Sequence, residues 1–200
     1  RGMKHEADAA GALIVGGDIA RGPKIVISMT AVGSAQSPIL RSGAKAGDSL
    51  YLSSLTGWSA AGLELLTREV SINSAIAERA LSEFSAPTLD YSSDFSGATA
   101  MADVSDSVLI QAEQIAEASG VQLVLDQVLI SQATEFKDLS TLADELKVDV
   151  FQWILGGGED HVLLATGESL PGIRIGSVVA GSGIAGVDMK KAPVSWSHFH

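Results

Sequence analysis

Residues 98–120 read as one strand, turn and helix, and this unit constrains the fold more than any other stretch. Ser96-Gly97 makes a turn, and Ala98-Thr99-Ala100-Met101 makes a short buried strand. Val108, Ala112 and Ile115 then recur at helical spacing, and Gly120 is placed to stop the helix. Between strand and helix stands Asp103-Val104-Ser105-Asp106, which gathers two carboxylates and a hydroxyl where the helix begins. With Ser105 or Asp106 as N-cap, free backbone N–H groups point outward beside Asp103. Such a site can hold a phosphate on its N–H groups and a divalent cation on its carboxylates. The same residues also make an ordinary capped helix, so the stretch takes its meaning from its company.

The rest of the chain alternates strands and helices. A helix is expected over residues 3–10, then strands at 13–15 and 24–30, the second supported by Ile25-Val26-Ile27. The loop between them, Gly16-Gly17-Asp18 to Pro23, has glycines that let backbone approach a ligand closely. Further on come a strand at 49–53, a helix at 60–70 with Ser59 as N-cap, a helix at 72–84 and a loop at 85–95. A strand at 121–125, a short irregular segment, a helix at 139–146 and strands at 162–165 and 172–179 follow. Gly181-Ser182-Gly183-Ile184-Ala185-Gly186 matches a dinucleotide-binding pattern, but Pro193 leaves no room for the helix and strand that pattern needs. It reads as a turn. The expected fold is α/β, an α+β mixed sheet with covering helices.

Composition narrows the function. Hydrophobic residues make up 46% of the chain and aromatics 5%, so the core is built from Ala, Val, Ile and Leu. Net charge is −11, from 13 basic and 24 acidic residues, which argues against a nucleic-acid partner. If the ligand is a phosphate ester, metal ions must bridge protein carboxylates to phosphate oxygens. The absence of cysteine excludes disulfides, thiolate metal sites and a cysteine nucleophile. No apolar run approaches the ~18 residues of a membrane span. No apolar signal-peptide stretch opens the chain, so no membrane partner and a cytoplasmic location are expected.

Three acidic turns stand out: Gly17-Asp18, the one at 103–106, and Gly157-Gly158-Glu159-Asp160. Together they suit phosphoryl transfer, where catalysis is mostly positioning and charge neutralisation. Arg41 is a candidate phosphate clamp, and Trp196 can stack on an aromatic ligand ring. No Walker-type loop, kinase catalytic loop, nucleophile elbow or zinc-ligand spacing is present.

In this order the turns resemble the thiamine-monophosphate kinases, a family of the aminoimidazole-ribonucleotide-synthetase-like superfamily. The matching stretches are Val15-Gly16-Gly17-Asp18, residues 41–48, Ser59-Ala60-Ala61-Gly62-Leu63, residues 101–106, residues 157–160 and Trp196-Ser197-His198-Phe199. The resemblance implies that Gly17, Asp18, Arg41 and Ser105 contact ATP, and that Asp18, Asp103 and Asp106 bind Mg²⁺. It implies that Glu159 or Asp160 faces the thiamine phosphate and that Trp196 packs on the thiamine rings. The implied reaction is direct transfer of the ATP γ-phosphoryl to thiamine monophosphate, with several Mg²⁺ ions and no phospho-enzyme. The implied assembly is a homodimer.

By the same resemblance, residues 1–44 are the end of an N-terminal nucleotide-binding domain and residues 45–200 a C-terminal α/β domain. An Asp-rich metal-binding segment is expected upstream of Arg1. The chain departs from the family pattern at Ile19-Ala20, usually hydroxyl residues, at Ser107, usually Gly, and at Gln111, usually Asp. Two alternatives stand beside it: a sister enzyme such as selenophosphate synthetase, and a non-catalytic nucleotide-binding or interaction module. The terminal Trp-x-His-Phe favours the thiamine enzyme.

Overall fold

Short apolar runs with alternating burial build one mixed sheet in the computed structural model, which describes residues 2–187. These fall into two units divided between Pro38 and Ile39. In the second unit the strands are β1 (Ser49–Leu52), β2 (Ala100–Asp103), β3 (Gln122–Leu125), β4 (Leu163–Gly167), β5 (Ile173–Val179) and β6 (Gly183–Ala185). Their order is β2-β4-β1-β5-β3-β6, and every neighbouring pair is antiparallel except β3 and β6. The covering helices are α2 (Trp58–Thr67), α3 (Ala75–Ser85), α4 (Val108–Ser119), α5 (Gln127–Ser131), α6 (Phe136–Leu146) and α7 (Val150–Gly156). α1 (Gly2–Ala9) belongs to the first unit. The expected α/β class is the observed one.

Leu50 and Leu52 of β1, Leu123 and Leu125 of β3, Leu164 of β4 and Ile175 of β5 are fully buried. Ile115 of α4, Leu139 and Leu142 of α6 and Ile154 of α7 join them in one core. Each such side chain contributes roughly 1.5–3 kcal/mol by leaving water. α2 and α3 approach so closely that a Cβ on Gly62 would lie 2.2 Å from the Ala80 carbonyl and 2.7 Å from Phe84 Cβ. The guanidinium of Arg79 on α3 lies 3.9 Å over the Trp58 ring and pairs with Glu135, tying α2 to α3 and to the start of α6.

Several local expectations are corrected. α2 begins at Trp58 with Gly57 as N-cap, and Ser59 lies inside its first turn. α4 is capped by Ser107, whose hydroxyl accepts the Ile110 N–H at 3.1 Å; Ser105 and Asp106 stay in the preceding turn. The segment after β3 is helix α5, because Asp126 accepts from the N–H groups of Val128 and Leu129. α7, capped by Asp149, has no counterpart in the sequence reading. Residues 183–185 form a parallel edge strand rather than a turn.

The strands expected at 13–15 and 24–30 are absent from the first unit, where Val15 and Ile25 are each 94% exposed. A strand needs a hydrogen-bonded neighbour and a face to bury, and the described residues of this unit supply neither. Because a Cβ on Gly62 would collide with the Ala80 carbonyl, Gly62→Ala should force α2 from α3 and cost about 1–3 kcal/mol. Urea unfolding checks this; an unchanged midpoint would mean the two helices pack with slack.

Candidate functional site

The site begins where the β2–β4 ladder runs out. Asp103, the last residue of β2, is paired with Leu163, the first of β4. Main-chain bonds then carry the pairing into irregular backbone. Val104 N–H donates to Val162 O at 2.8 Å, His161 N–H to Val104 O at 3.1 Å and Glu159 N–H to Ser105 O at 2.8 Å. These bonds join two acidic turns that lie far apart in the sequence. Glycine makes the approach possible: a Cβ on Gly158 would meet Ser105 O and Asp106 O, each at 2.5 Å. On Gly157 it would meet Trp153 O at 2.4 Å and Ala60 Cβ at 2.6 Å.

Glu159 and His161 both have left-handed backbone, with φ of 65° and 52°. Such geometry costs on the order of 1–3 kcal/mol per residue and persists only where surroundings enforce it. Here the enforcement comes from Asp160 between them, which is 6% exposed. Its Oδ2 accepts the Gly57 N–H at 2.7 Å and its Oδ1 the Ser59 N–H at 3.0 Å. Asp160 thus caps α2 from a distant segment, where Gly57 has no side chain to do so. Burial pushes its carboxyl from the ordinary 3.8 up to about 6, against the opposing pull of the Ser59 and Gly57 N–H groups.

On the outer side, His161 Nδ1 lies 3.1 Å from Asp103 Oδ2, and its Nε2 lies 3.5 Å from Glu159 Oε2. Ser105 Oγ is 3.4 Å from Asp106 Oδ2. Beside them opens a cavity of about 480 Å³, lined by Ser53, Pro87, Leu89, Asp90, Tyr91, Asp103, His161 and Leu163. Among the described residues no three His, Asp or Glu side chains converge closely enough to enclose a metal ion alone. Asp103 and Asp106 nonetheless present hard carboxylate oxygens of the kind divalent cations take.

No family model matches the chain. Thiamine-monophosphate kinase from Mycobacterium tuberculosis is 39% identical over 170 residues, covering 82% of this chain and 49% of that protein. The enzyme of the same name from Aquifex aeolicus is 32% identical over 208 residues, covering 99% of this chain and 67% of the relative. The chain belongs to the thiamine-monophosphate kinase family. It spans about half the length of the M. tuberculosis relative. The solved structure described as AaThiL complexed with AMPPCP and TMP superposes with a TM-score of 0.70 at 28% identity, over 80% of this chain and 54% of that one. The mixed sheet is therefore the family's fold.

Of the residues the kinase pattern marks, the structure brings Asp103, Ser105, Asp106 and Glu159 together through the bonds between the two turns. Asp160 departs from expectation: it turns inward as a buried cap, so of the two candidates facing substrate only Glu159 remains exposed. The Arg41 carbonyl accepts from Ser119 Oγ at 3.2 Å, at the far end of α4 from Ser107, and no described interaction links Arg41 to the Asp103 turn. Gly17 and Asp18 lie in the first unit, where Asp18 accepts the Ile19 N–H at 2.8 Å. Trp196 lies outside the described residues. Gln111 is 1% exposed, and its Oε1 has no described partner.

Sequence reasoning missed His161 and the wall at residues 87–91. His161 adjoins the last acidic turn, and that adjacency was the available signal. The loop carries no motif.

Removing the buried cap has a predictable cost. Asp160→Ala leaves the N–H groups of Gly57 and Ser59 unpaired and should cost about 1–3 kcal/mol for each donor that stays dry. The pH dependence is distinctive. The folded pKa of about 6 lies above the ordinary 3.8, so the stability this group supplies is complete below the lower value and lost as pH rises through the higher. The advantage of the unaltered protein over Asp160→Asn should shrink by roughly 3 kcal/mol between pH ~4 and ~7 in urea titrations. A difference constant across that range would contradict the burial argument.

Proposed function

We propose that the protein carrying this chain transfers the γ-phosphoryl group of ATP to thiamine monophosphate, giving thiamine diphosphate and ADP. One observation carries the reading: 32% identity to a thiamine-monophosphate kinase across 99% of the chain, with the two acidic turns of that family pattern bonded into one surface. The likeness to a relative solved with an ATP analogue and TMP supports the choice of both substrates.

In this reading Asp103 and Asp106 are the residues that would hold Mg²⁺, an ion that takes one or two carboxylates. The ion would neutralise phosphate charge, alongside Arg41, in a chain of net charge −11. Ser105 offers a hydroxyl to ATP and Arg41 a guanidinium; for Gly17 and Asp18, in the first unit, the proposal keeps the ATP and Mg²⁺ roles that the family resemblance implies. His161 holds Asp103 in place through the 3.1 Å contact. Glu159 faces the thiamine phosphate, and Trp196 packs on its rings. The reaction needs no protein nucleophile, because the acceptor is a phosphate oxygen of the substrate.

The first unit belongs, on this reading, to the end of a nucleotide-binding domain, residues 1–44. Its exposed Leu13, Val15, Ile25 and Val26 are what a sheet shared within a homodimer would cover. A cytoplasmic location is part of this proposal; no helix among the described residues is long and apolar enough to cross a membrane. A second reading, nucleotide binding without turnover, draws on Gln111 standing where the family usually has Asp.

Formation of ADP and thiamine diphosphate from ATP, thiamine monophosphate and Mg²⁺ decides between them. Chelation of Mg²⁺ should abolish turnover, and Asp103→Asn should lower kcat at least ~100-fold, the scale for losing one transition-state charge stabiliser. Full activity of that variant would remove Asp103 from the metal site; ATP binding with no turnover in the unaltered protein would favour the second reading.

A further inference from the structure

The cavity beside Asp103 has a lining that the phosphate chemistry alone does not use. Pro87, Leu89 and Leu163 give it apolar walls, Tyr91 an aromatic ring, and Asp90 and Asp103 two carboxylates. Among the described residues no lysine or arginine lines it. Its volume of about 480 Å³ sits within the range of small-molecule sites, roughly 300–1,000 Å³. Among the described lining residues an anionic group finds only the His161 imidazole and whatever cation Asp103 holds. A flat, positively charged ring finds apolar contact, an aromatic face and a carboxylate.

We propose that the loop at residues 87–91 is the wall that selects a cationic heteroaromatic ring, with Asp90 as its counter-charge and Tyr91 as its aromatic contact. The assignment rests on the thiamine monophosphate reading and deepens it. That substrate carries a permanent positive charge on its thiazolium ring and its phosphate at the end of a side arm. With the phosphate toward Asp103, the ring falls toward the loop. The selection works by attraction at one end of the cavity and by metal-mediated phosphate binding at the other.

The loop holds Asp90 ready without a ligand. Its Oδ1 accepts from Ser92 N–H at 2.8 Å, Ser92 Oγ at 2.9 Å and Ser93 N–H at 3.1 Å. Hydrogen bonds from Ser93 and Ser92 hold its carboxyl down at about 2, so the charge is present at any working pH. Because those contacts need only one acceptor oxygen, Asp90→Asn keeps the loop and removes the charge. A cation over the Tyr91 ring gains from the ring's electrostatics, which phenylalanine retains and leucine does not.

Isothermal titration of the protein with thiamine monophosphate, with hydroxyethylthiazole phosphate, whose ring is uncharged, and with AMPPCP tests the proposal, in Mg²⁺ throughout. Asp90→Asn should weaken thiamine monophosphate about 5- to 20-fold, the scale of one partly exposed charge pair. It should leave AMPPCP affinity and the melting temperature unchanged. The ester with the uncharged thiazole ring should bind the unaltered protein more weakly than thiamine monophosphate and should not respond to Asp90→Asn. Tyr91→Phe should bind as the unaltered protein does, and Tyr91→Leu several-fold more weakly. Unchanged thiamine monophosphate affinity in Asp90→Asn, or equal loss of all three ligands, would overturn the assignment alone. If the unaltered protein bound AMPPCP but no thiamine monophosphate, the substrate reading would fall, and this assignment with it.

Discussion

The carboxylate of Asp160, buried and bonded to the N–H groups of Gly57 and Ser59, is the interaction on which the site depends. An oxygen acceptor at the start of a helix satisfies donors that have no partner inside the helix. In this chain the acceptor arrives from a turn about a hundred residues downstream of α2, so it also locks that turn onto the helix. The lock explains the left-handed backbone on either side of Asp160, and it explains why Glu159 and His161 point the opposite way, toward Asp103. Glycines 157 and 158 complete the arrangement by letting the turn lie directly on α2 and on residues 105–106.

Much of the second unit was legible in the sequence because its signals are local. Apolar spacing marks α4, and Gly120 ends it in left-handed conformation as its position after the last apolar residue predicts. The runs at 121–125 and 172–179 become β3 and β5 within a residue of their expected limits. Other elements depend on distant partners and were not legible. β6 is a strand because β3 offers it a parallel edge, with a Cβ at Gly186 meeting Leu125 O at 1.9 Å. α2 starts without a local cap because Asp160 provides one. The reverse failure occurs in the first unit, where β-branched runs predict strands and the described residues give them nothing to pair with.

The same division applies to the site. The resemblance to the family lay in the order of six stretches, residues 15–18, 41–48, 59–63, 101–106, 157–160 and 196–199, and the bonds between Ser105, Val104, Glu159 and His161 bring two of them together. What the sequence hid was direction. Of two adjacent acids, one supports the core and the other faces solvent, and only backbone conformation decides which. Acidic chemistry also sets the terms for ligands. On the proposed reading, a surface carrying Asp103, Asp106, Glu159 and Asp90 takes phosphate together with cations and favours a ring that brings a positive charge of its own.

The claim that one buried carboxylate organises this surface is tested most directly by a pH titration of backbone amides by NMR. The amide protons of Gly57 and Ser59 should move together with a single midpoint near 6, and that shared titration should vanish in Asp160→Asn. Amides that do not respond to pH, or that titrate at the ordinary carboxyl value of 3.8, would show that Asp160 is not the buried tie between α2 and the acidic turn.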